Sequence, residues 1–398
     1  MSHAVVIDAV RTPRGAAKDS GALHAVAPME LLAGALRAIK DRNHLDADQV
    51  VDGVFGCVTQ TGEQGGNVGK AACLLAGLSP YMSAVTINRF CASGLSAVNW
   101  AAQQARDNDG LSLGGGVEMM SRVPIFGDQA PYYSDRELGG TIGFVTPAWS
   151  SDLIATRHGY TRQDCDRYAA RSQSRALAAR RRGPAPSMVP VCAADGSVLL
   201  AHDENIREAN TPEKLATLRT IYEPGANGLD AWGLAREPEL GQIAHVHTAG
   251  NAPCMADGAA AVLLGSEAAA RRLGLPVRAR VLAQADACVP LTQTGAVDAT
   301  QKALARCGLT VADIDLWEVR DSFSAITLHY IDTLGIDLER FNVNGSSIAL
   351  GHPMGATGAM LVSCLLDEME LRGARYGVAA VPGAFGVATA TVFERLVA

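Results

Sequence analysis

Two stretches of this sequence, CASGLSAVNWAAQQ (residues 91–104) and GATGAMLVSCLLDE (residues 355–368), share the pattern x-A-[ST]-G-x-x-x-V. Each begins with small residues and a glycine and continues with apolar residues at helical spacing, which predicts the start of a helix. Each is followed by a strand-like run that contains glycine, LSLGGGVE (111–118) and YGVAAVPG (376–383). The repeat predicts a duplicated α/β unit, with a helix and a following strand at the same place in each half.

A second strand completes each half, at a different distance along the chain. In the second half GVATATVFE (386–394) follows directly, whereas its counterpart GAAAVLLGSE (258–267) lies well over a hundred residues after the first strand. The segment between is rich in Pro, Arg and Ser and is predicted to form mostly helix and loop, as lids and binding loops do. We therefore expect one half over residues 1–119 and 248–270, an inserted domain over residues 120–247, and a second half over residues 271–398.

The composition argues against several classes of function. The 398 residues carry a formal net charge of −7, and the basic run RSQSRALAARRRG (171–183) has the spacing of a solvated helix face, so we expect no nucleic-acid partner. The nine cysteines are scattered singly, which predicts neither a metal site nor a disulfide framework. No window approaches 18 uninterrupted apolar residues, and MSHAVVIDAVRTPRG (1–15) lacks the features of a signal peptide. We expect a cytoplasmic protein without a membrane partner.

Two residues at the starts of the matching helices could carry chemistry. Cys91 opens the first helix, where free N–H groups and the positive end of the helix dipole stabilise a thiolate, the strongest nucleophile among side chains. His352 precedes the second helix in a turn fixed by Pro353 and glycines, where it could act as a general base or oxyanion donor. Taken separately, Cys91 is also explained as a small buried residue, and His352 as a loop histidine. A pseudo-twofold relation would bring both to one site as a Cys–His dyad.

Four motifs, in order along nearly the whole chain, resemble those of the thiolase family. They are NRFCASGLSAV (88–98) for the nucleophile, GGGVEMMSRVP (114–124), HTAGNAPCMADGAAAVLL (247–264), and NVNGSSIALGHPMGATGAM (342–360) with its G-H-P triplet. The resemblance implies a five-layered αβαβα fold, an inserted loop domain over coenzyme A, and a dimer or a tetramer of dimers. It also implies that Cys91 takes the acyl group of an acyl-CoA thioester and that His352 activates Cys91. The thioester is a substrate, and no permanently bound cofactor and no metal are expected.

Three catalytic positions of that family are replaced. The family's closing C-x-G-G-x-M-G motif aligns with AVPGAFG (380–386), which places Ala380 at a second cysteine that moves protons. The same alignment places Pro382 at a glycine whose N–H belongs to the oxyanion hole, and proline has no N–H to donate. A shift of the loop by one residue would instead leave Pro382 as a turn residue. The family's N-E-A-F motif aligns with RDSF (320–323), which places Arg320 at the Asn that holds a catalytic water and Asp321 at the Glu.

Further expectations concern the pocket and coenzyme A. The run NAPC (251–254) departs from the family's Asn-Ala-Ser-Gly stretch near pantetheine, and Cys254 is a candidate substitute for the lost thiol. The run EKLATLRTIY (213–222) resembles a stretch whose Arg approaches the nucleotide, which indicates Arg219. Arg320 could bind a substrate carboxylate, or it could pair with Asp321 or Glu318.

The sequence leaves three functions open. The first is an acyltransferase with altered chemistry, either condensation with an acceptor that loses CO₂ or transfer to an oxygen, nitrogen or water acceptor. The second is an ordinary acetyl-CoA C-acyltransferase or 3-ketoacyl-CoA thiolase, in which Cys254 or a water replaces the lost group. The third is a non-catalytic subunit that binds acyl-CoA or stabilises a partner, against which the intact Cys91 and His352 count. We favour the first.

Overall fold

Ten of the strands form one continuous mixed sheet in the computed structural model, which describes residues 3–225 and 228–396. The strands are β1 (Ala4–Arg11), β2 (Gly15–Ala16), β3 (Val50–Gly56), β4 (Ser83–Ile87), β5 (Leu111–Met119), β6 (Val191–Cys192), β7 (Val198–Leu200), β8 (Ala256–Ser266), β9 (Ala279–Cys288), β10 (Leu316–Val319), β11 (Tyr376–Pro382) and β12 (Val387–Arg395). The order across the sheet is β10-β11-β12-β9-β1-β8-β5-β3-β4, β2 pairs with β8, and β6 and β7 form a separate ribbon.

Helices cover both faces of this sheet and fill the space between its two halves. They are α1 (Pro28–Arg42), α2 (Val68–Leu75), α3 (Ser93–Asp107), α4 (Arg136–Ile142), α5 (Pro147–His158), α6 (Arg162–Arg182), α7 (Pro212–Ala216), α8 (Leu229–Leu234), α9 (Glu267–Arg272), α10 (Gly295–Cys307), α11 (Ser324–Leu334), α12 (Ser347–Leu350) and α13 (Met354–Arg372). Within the described ranges, none of these helices has the length and apolar character that crossing a membrane requires.

The strand order of the first half recurs in the second. The run β4-β3-β5-β8-β1 corresponds to β10-β11-β12-β9, with the place of β4 reduced to a single bridge between Trp317 and Phe341. In each half the strand after the matching helix has an antiparallel neighbour, β8 beside β5 and β12 beside β11. The halves join where β1 pairs antiparallel with β9. The duplicated α/β fold that the repeat predicts is therefore confirmed.

Successive side chains of a buried strand point to opposite faces of the sheet and so pack into different layers. In β8, Val262 packs with α3 and α13 between the two halves, whereas its neighbour Leu263 packs with α1 on the outer face. The helices α10 and α11 cover the outer face of the second half in the same way. Strands that are covered on both faces read as continuous apolar runs, as β8 does. The result is the five-layered αβαβα arrangement that the resemblance to thiolases implies.

The two middle helices touch through their main chains. A Cβ atom built on Gly94 would lie 2.6 Å from the Gly355 carbonyl oxygen, and one on Gly358 would lie 2.1 Å from the Leu95 nitrogen. No side chain fits at these distances, so both positions require glycine. Gly94 and Gly358 are the glycines of the shared sequence pattern, and their contact brings the starts of α3 and α13 together.

The inserted segment leaves the sheet after β5 and returns to it at β8. The two strands are direct neighbours, with Leu111 opposite Gly265 and Met119 opposite Asp257. The segment between them contains α4 to α8 with β6 and β7. The boundaries expected for the three units, after residues 119, 247 and 270, stay a prediction, and residues 1–2, 226–227 and 397–398 of those units lie outside the described residues.

Candidate active site

A cavity of about 280 Å³ opens between the starts of α3 and α13. Cys91 and His352 both line it, so the structure places the two residues from matching helix starts in one site. The rest of the wall is mostly apolar. Among the described residues that line the cavity, Arg320 is the only Arg, Lys, Asp or Glu.

Cys91 is held by the short loop that precedes α3. Phe90 has a φ of 49°, a left-handed conformation that is unusual for a bulky residue. Its N–H donates to Asn88 Oδ1 at 2.8 Å, and the Ser93 hydroxyl donates to its carbonyl oxygen at 2.6 Å. Cys91 itself is only 7% exposed and contacts the cavity. The loop therefore presents one thiol to the cavity at the start of a helix.

His352 has a defined tautomer. Its Nδ1 lies 2.7 Å from Thr357 Oγ1, and the Thr357 hydroxyl donates to the Pro353 carbonyl oxygen at 3.0 Å. Because the hydroxyl proton is used, Nδ1 carries the hydrogen and donates it to Thr357, which leaves a lone pair on Nε2. Nε2 is buried and has no partner among the described residues.

The surroundings keep this imidazole neutral. Burial moves the pKa of His352 well below its usual range, and the positive charges of Arg320 and Arg14 move it in the same direction. A neutral imidazole with a free lone pair is a proton acceptor, so His352 has the form of a general base.

Glu118 joins the two halves beneath the cavity. Its Oε2 accepts the N–H groups of Val58 and Gly355, both at 2.9 Å. Its Oε1 accepts the Thr59 N–H at 3.1 Å and a Gln64 amide hydrogen at 2.8 Å. Burial raises the pKa of Glu118, and these donors oppose that shift. Gly355 lies three residues after His352, so the carboxylate fixes the His352 turn to the first half.

Arg320 is a buried cation that pairs with no carboxylate in the described part of the chain. Its Nη1 donates to the Pro382 carbonyl oxygen at 2.8 Å, to Ser322 Oγ at 3.1 Å and to Gln293 Oε1 at 3.5 Å. Its Nε is buried and unpaired within the described chain, and the residue is only 3% exposed. Burial lowers the pKa of Arg320, and the negative charges of a Cys91 thiolate and of Asp321 oppose that shift.

The ion pair of Arg320 with Asp321 or Glu318, one of the two roles expected for it, does not form among the described residues. The Asp321 carboxylate accepts the Ile348 N–H at 2.9 Å and the Ser172 hydroxyl at 3.2 Å, on the side of α6 and α12. Burial raises the pKa of Asp321 to about 6. Glu318 Oε1 is buried and has no hydrogen-bond partner among the described residues, so closeness in sequence does not make an ion pair here. Asp321 supports the helix that leads into the His352 turn.

The two replaced positions of β11 have different surroundings. Ala380 is fully buried in the core with Val319 and does not line the cavity. Pro382 ends the strand opposite Ala388, and its carbonyl is the main acceptor of Arg320. The next residue, Gly383, lies against Cys91, because a Cβ atom there would be 3.5 Å from the Cys91 nitrogen.

Cys254 reaches the site, whereas Arg219 does not. Cys254 lines the cavity, its Sγ donates to the Ile348 carbonyl oxygen at 3.6 Å, and its own carbonyl accepts the His352 N–H at 2.7 Å. Burial raises the pKa of the Cys254 thiol. Arg219 is exposed and lies outside the cavity wall, three residues before Tyr222, which belongs to the wall.

The inserted segment supplies an aromatic wall that sequence reasoning missed. Phe126, Tyr133 and Phe144 line the cavity beside Phe90. Behind them the ring of Phe385 lies 5.5 Å from Phe90 and 5.1 Å from Phe144. These rings come from a segment without regular periodicity, so no pattern announced them. They fit an apolar acyl chain.

Two more polar residues of the site were missed. Glu118 lies in the motif GGGVEMMSRVP, but the sequence assigned it no role. A single carboxylate inside a buried, glycine-rich strand nevertheless indicates an acceptor that joins several hydrogen-bond donors. Thr357 was read only as part of the repeat, and its bond to His352 depends on the turn at Pro353. Within the described ranges, no group of three His, Cys, Asp or Glu side chains could hold a metal ion.

Comparison with known proteins adds two domains and a set of relatives. A family profile described as Thiolase, N-terminal domain matches residues 4–229, and one described as Thiolase, C-terminal domain matches residues 275–395. A 3-ketoacyl-CoA thiolase of Shewanella denitrificans is 38% identical over 411 residues, covering 100% of both chains. Proteins of the same name from Vibrio vulnificus and Klebsiella pneumoniae are 38% and 37% identical over 410 residues, covering 99% and 100% of this chain and 100% of each relative.

Proposed function

This chain belongs to the thiolase family of acyltransferases, and from that membership we propose that it takes the acyl group of a coenzyme A thioester onto Cys91. The observation that supports this best is the arrangement of the dyad. Cys91 and His352 line one cavity, and the neutral imidazole of His352 has an Nε2 without a partner among the described residues. A pure scaffold has no need of such a base.

The first half of the reaction follows from these two groups. His352 Nε2 accepts the proton of the Cys91 thiol, and the thiolate attacks the carbonyl carbon of the thioester. The tetrahedral intermediate collapses, the bond from carbon to the sulfur of coenzyme A breaks, and the leaving thiolate takes the proton from His352. The products are S-acyl Cys91 and free coenzyme A, with His352 neutral again.

We propose that the second half of the reaction, in which the acyl group leaves Cys91, is not a condensation that needs a second thiol. Ala380 offers no proton acceptor and lies in the core away from the cavity. An acceptor that loses CO₂ forms its carbanion without such a base. An oxygen, nitrogen or water acceptor needs only the base that is present, His352. The wall of Phe126, Tyr133 and Phe144 favours an apolar acyl chain for transfer.

An ordinary 3-ketoacyl-CoA thiolase is the second candidate. The relatives of that name favour it, since they match the chain over its full length. Cys254 would then serve as the second thiol, and its place in the cavity wall supports this role. Contact of Arg219 with the nucleotide and assembly as a dimer or a tetramer of dimers complete the proposal for either candidate.

Intact-protein mass spectrometry tests the acyl-enzyme. The protein is incubated with short, branched and aromatic acyl-CoA thioesters, and the adduct is mapped by peptide analysis. We expect an acyl adduct on Cys91 with at least one thioester and none in Cys91→Ala. Absence of an adduct across the panel would contradict the proposal and favour a non-catalytic subunit.

Thiolysis of acetoacetyl-CoA separates the two candidates. Altered chemistry predicts very weak thiolysis, whereas turnover within about 1–10³ s⁻¹, the usual enzyme range, supports the ordinary thiolase. In that case Cys254→Ser should abolish it. If the site has lost thiolysis without gaining another reaction, the triple variant Ala380→Cys, Pro382→Gly, Arg320→Asn should gain thiolysis. If the site has instead adapted to another acceptor, the same changes should reduce acyl transfer to that acceptor.

A further inference from the structure

The guanidinium of Arg320 is the feature of the site that the dyad does not use. It is nearly fully buried, lines the cavity with Cys91 and His352, and forms no ion pair among the described residues. Among the described residues its three hydrogen bonds are all made by Nη1, and its Nε has no acceptor there. A buried charge of this kind is costly unless an anion meets it during function.

The attack on a thioester creates such an anion. As the Cys91 thiolate adds to the carbonyl carbon, negative charge moves to the carbonyl oxygen, which needs donors about 2.7–3.1 Å away. The neighbouring backbone offers few, because Pro382 has no N–H and the Gly383 N–H is already bonded to the Val387 carbonyl at 2.7 Å. The lone pair of His352 Nε2 accepts rather than donates.

Resting on the proposed acyl-enzyme function, we propose that the Arg320 guanidinium donates to the thioester carbonyl oxygen and stabilises the oxyanion that forms there. The Pro382 carbonyl orients it, since that carbonyl accepts the Nη1 hydrogen at 2.8 Å. Pro382, which has no N–H to donate, thus orients the Arg320 side chain, which donates in its place. The same charge disfavours protonation of His352, which keeps the base available.

The first test compares Arg320→Met with the parent in the rate of Cys91 acylation, using butyryl-CoA and succinyl-CoA as probes. Loss of an oxyanion donor predicts a fall of about 10²–10³-fold with both thioesters. Arg175→Met, which removes a half-buried guanidinium bonded to the Phe341 and Leu338 carbonyls, is the control and should stay at the parental rate. A loss confined to succinyl-CoA would overturn the proposal and make Arg320 a reader of substrate carboxylates.

Two further measurements distinguish a donor from a structural role. Millimolar guanidinium should restore part of the acylation rate of Arg320→Ala, and urea should not. The acidic limb of the pH–rate profile should move upward in Arg320→Met, because His352 then faces only one of the two positive charges, that of Arg14, which lower its pKa. Restoring the N–H with Pro382→Gly should recover acylation at least about tenfold in the Arg320→Met background.

The outcomes separate the two proposals. If the parent forms an acyl-enzyme and folded Arg320→Met forms it within about threefold of the parental rate, far less than the loss of a donor predicts, only the role of Arg320 is refuted. If the parent forms no acyl-enzyme with any thioester, the proposed function fails and this role falls with it. If Arg320→Met does not fold, failure of both guanidinium and Pro382→Gly to raise the acylation rate of folded Arg320→Ala refutes the donor role.

Discussion

Replacement of Glu118 by Gln should both destabilise the protein and slow acylation. The carboxylate accepts four hydrogen bonds from N–H donors, two at each oxygen, from Val58, Thr59, Gln64 and Gly355. An amide keeps one oxygen, so two of the four donors face an NH₂ group whichever way it is turned. A buried donor without a partner costs about 1–3 kcal/mol, which predicts a loss of about 2–6 kcal/mol in the free energy of unfolding.

The effect on activity follows from the position of Gly355. When its N–H loses the carboxylate, the His352 turn is no longer fixed to the first half, and a displacement of about 1 Å at a reacting group can cost about 10²-fold in rate. Urea denaturation measures the stability, and intact-protein mass spectrometry measures the acylation of Cys91. We expect both to fall in Glu118→Gln.

The matched control is Glu368→Gln, at the other end of α13. Glu368 is also a buried carboxylate, and it binds Arg182, Arg372 and Asn344 far from the cavity. We expect it to lose stability without slowing acylation in the protein that remains folded. If folded Glu118→Gln is acylated at the parental rate, Glu118 does not position the His352 turn. If its free energy of unfolding equals that of the parent, the argument from unpaired hydrogen-bond donors is refuted.

Two other predictions concern single buried groups. Thr357→Val keeps the shape of the side chain but leaves the His352 Nδ1–H without an acceptor. The rate of Cys91 acylation, measured by mass spectrometry, should therefore fall by about 5-fold or more, corresponding to at least about 1 kcal/mol; an unchanged rate would refute the assigned tautomer. Burial raises the pKa of Glu318 from 4.5 to about 8, so the folded state holds this proton more tightly than the unfolded state, and stability should fall as pH rises from about 4.5 to about 8. Glu318→Gln should weaken that fall, as seen in urea midpoints at pH 5 and pH 8, and an equally steep fall in the variant would contradict the prediction.

The repeat made the fold predictable, because the feature that it repeats is physical. Gly94 and Gly358 recur since each lets one helix approach the other, and the strands that follow are buried on both faces. The same repeat placed Cys91 and His352 at equivalent points, which is why their meeting could be expected before any coordinates.

Contacts that depend on side-chain direction could not be predicted in this way. Arg320 and Asp321 are adjacent in sequence, yet one lines the cavity and the other bonds to Ser172 and Ile348. The partners of Glu118 come from separate segments, two of them in loops, and no spacing links them. The aromatic wall comes from an insertion whose path is set by tertiary packing, so its residues have no helical or strand-like spacing from which their positions could be predicted.

The main-chain contact at Gly94, Gly355 and Gly358 has a consequence for how such a protein changes over generations. No side chain takes part in it, so mutation can exchange side chains around the cavity, as at Arg320, Ala380 and Pro382, without moving the helix starts that carry Cys91 and His352. A gene copy can therefore change the cavity one codon at a time while Cys91 and His352 keep their relative places. Divergent lineages should vary at the cavity rim and tolerate almost nothing at the three glycines.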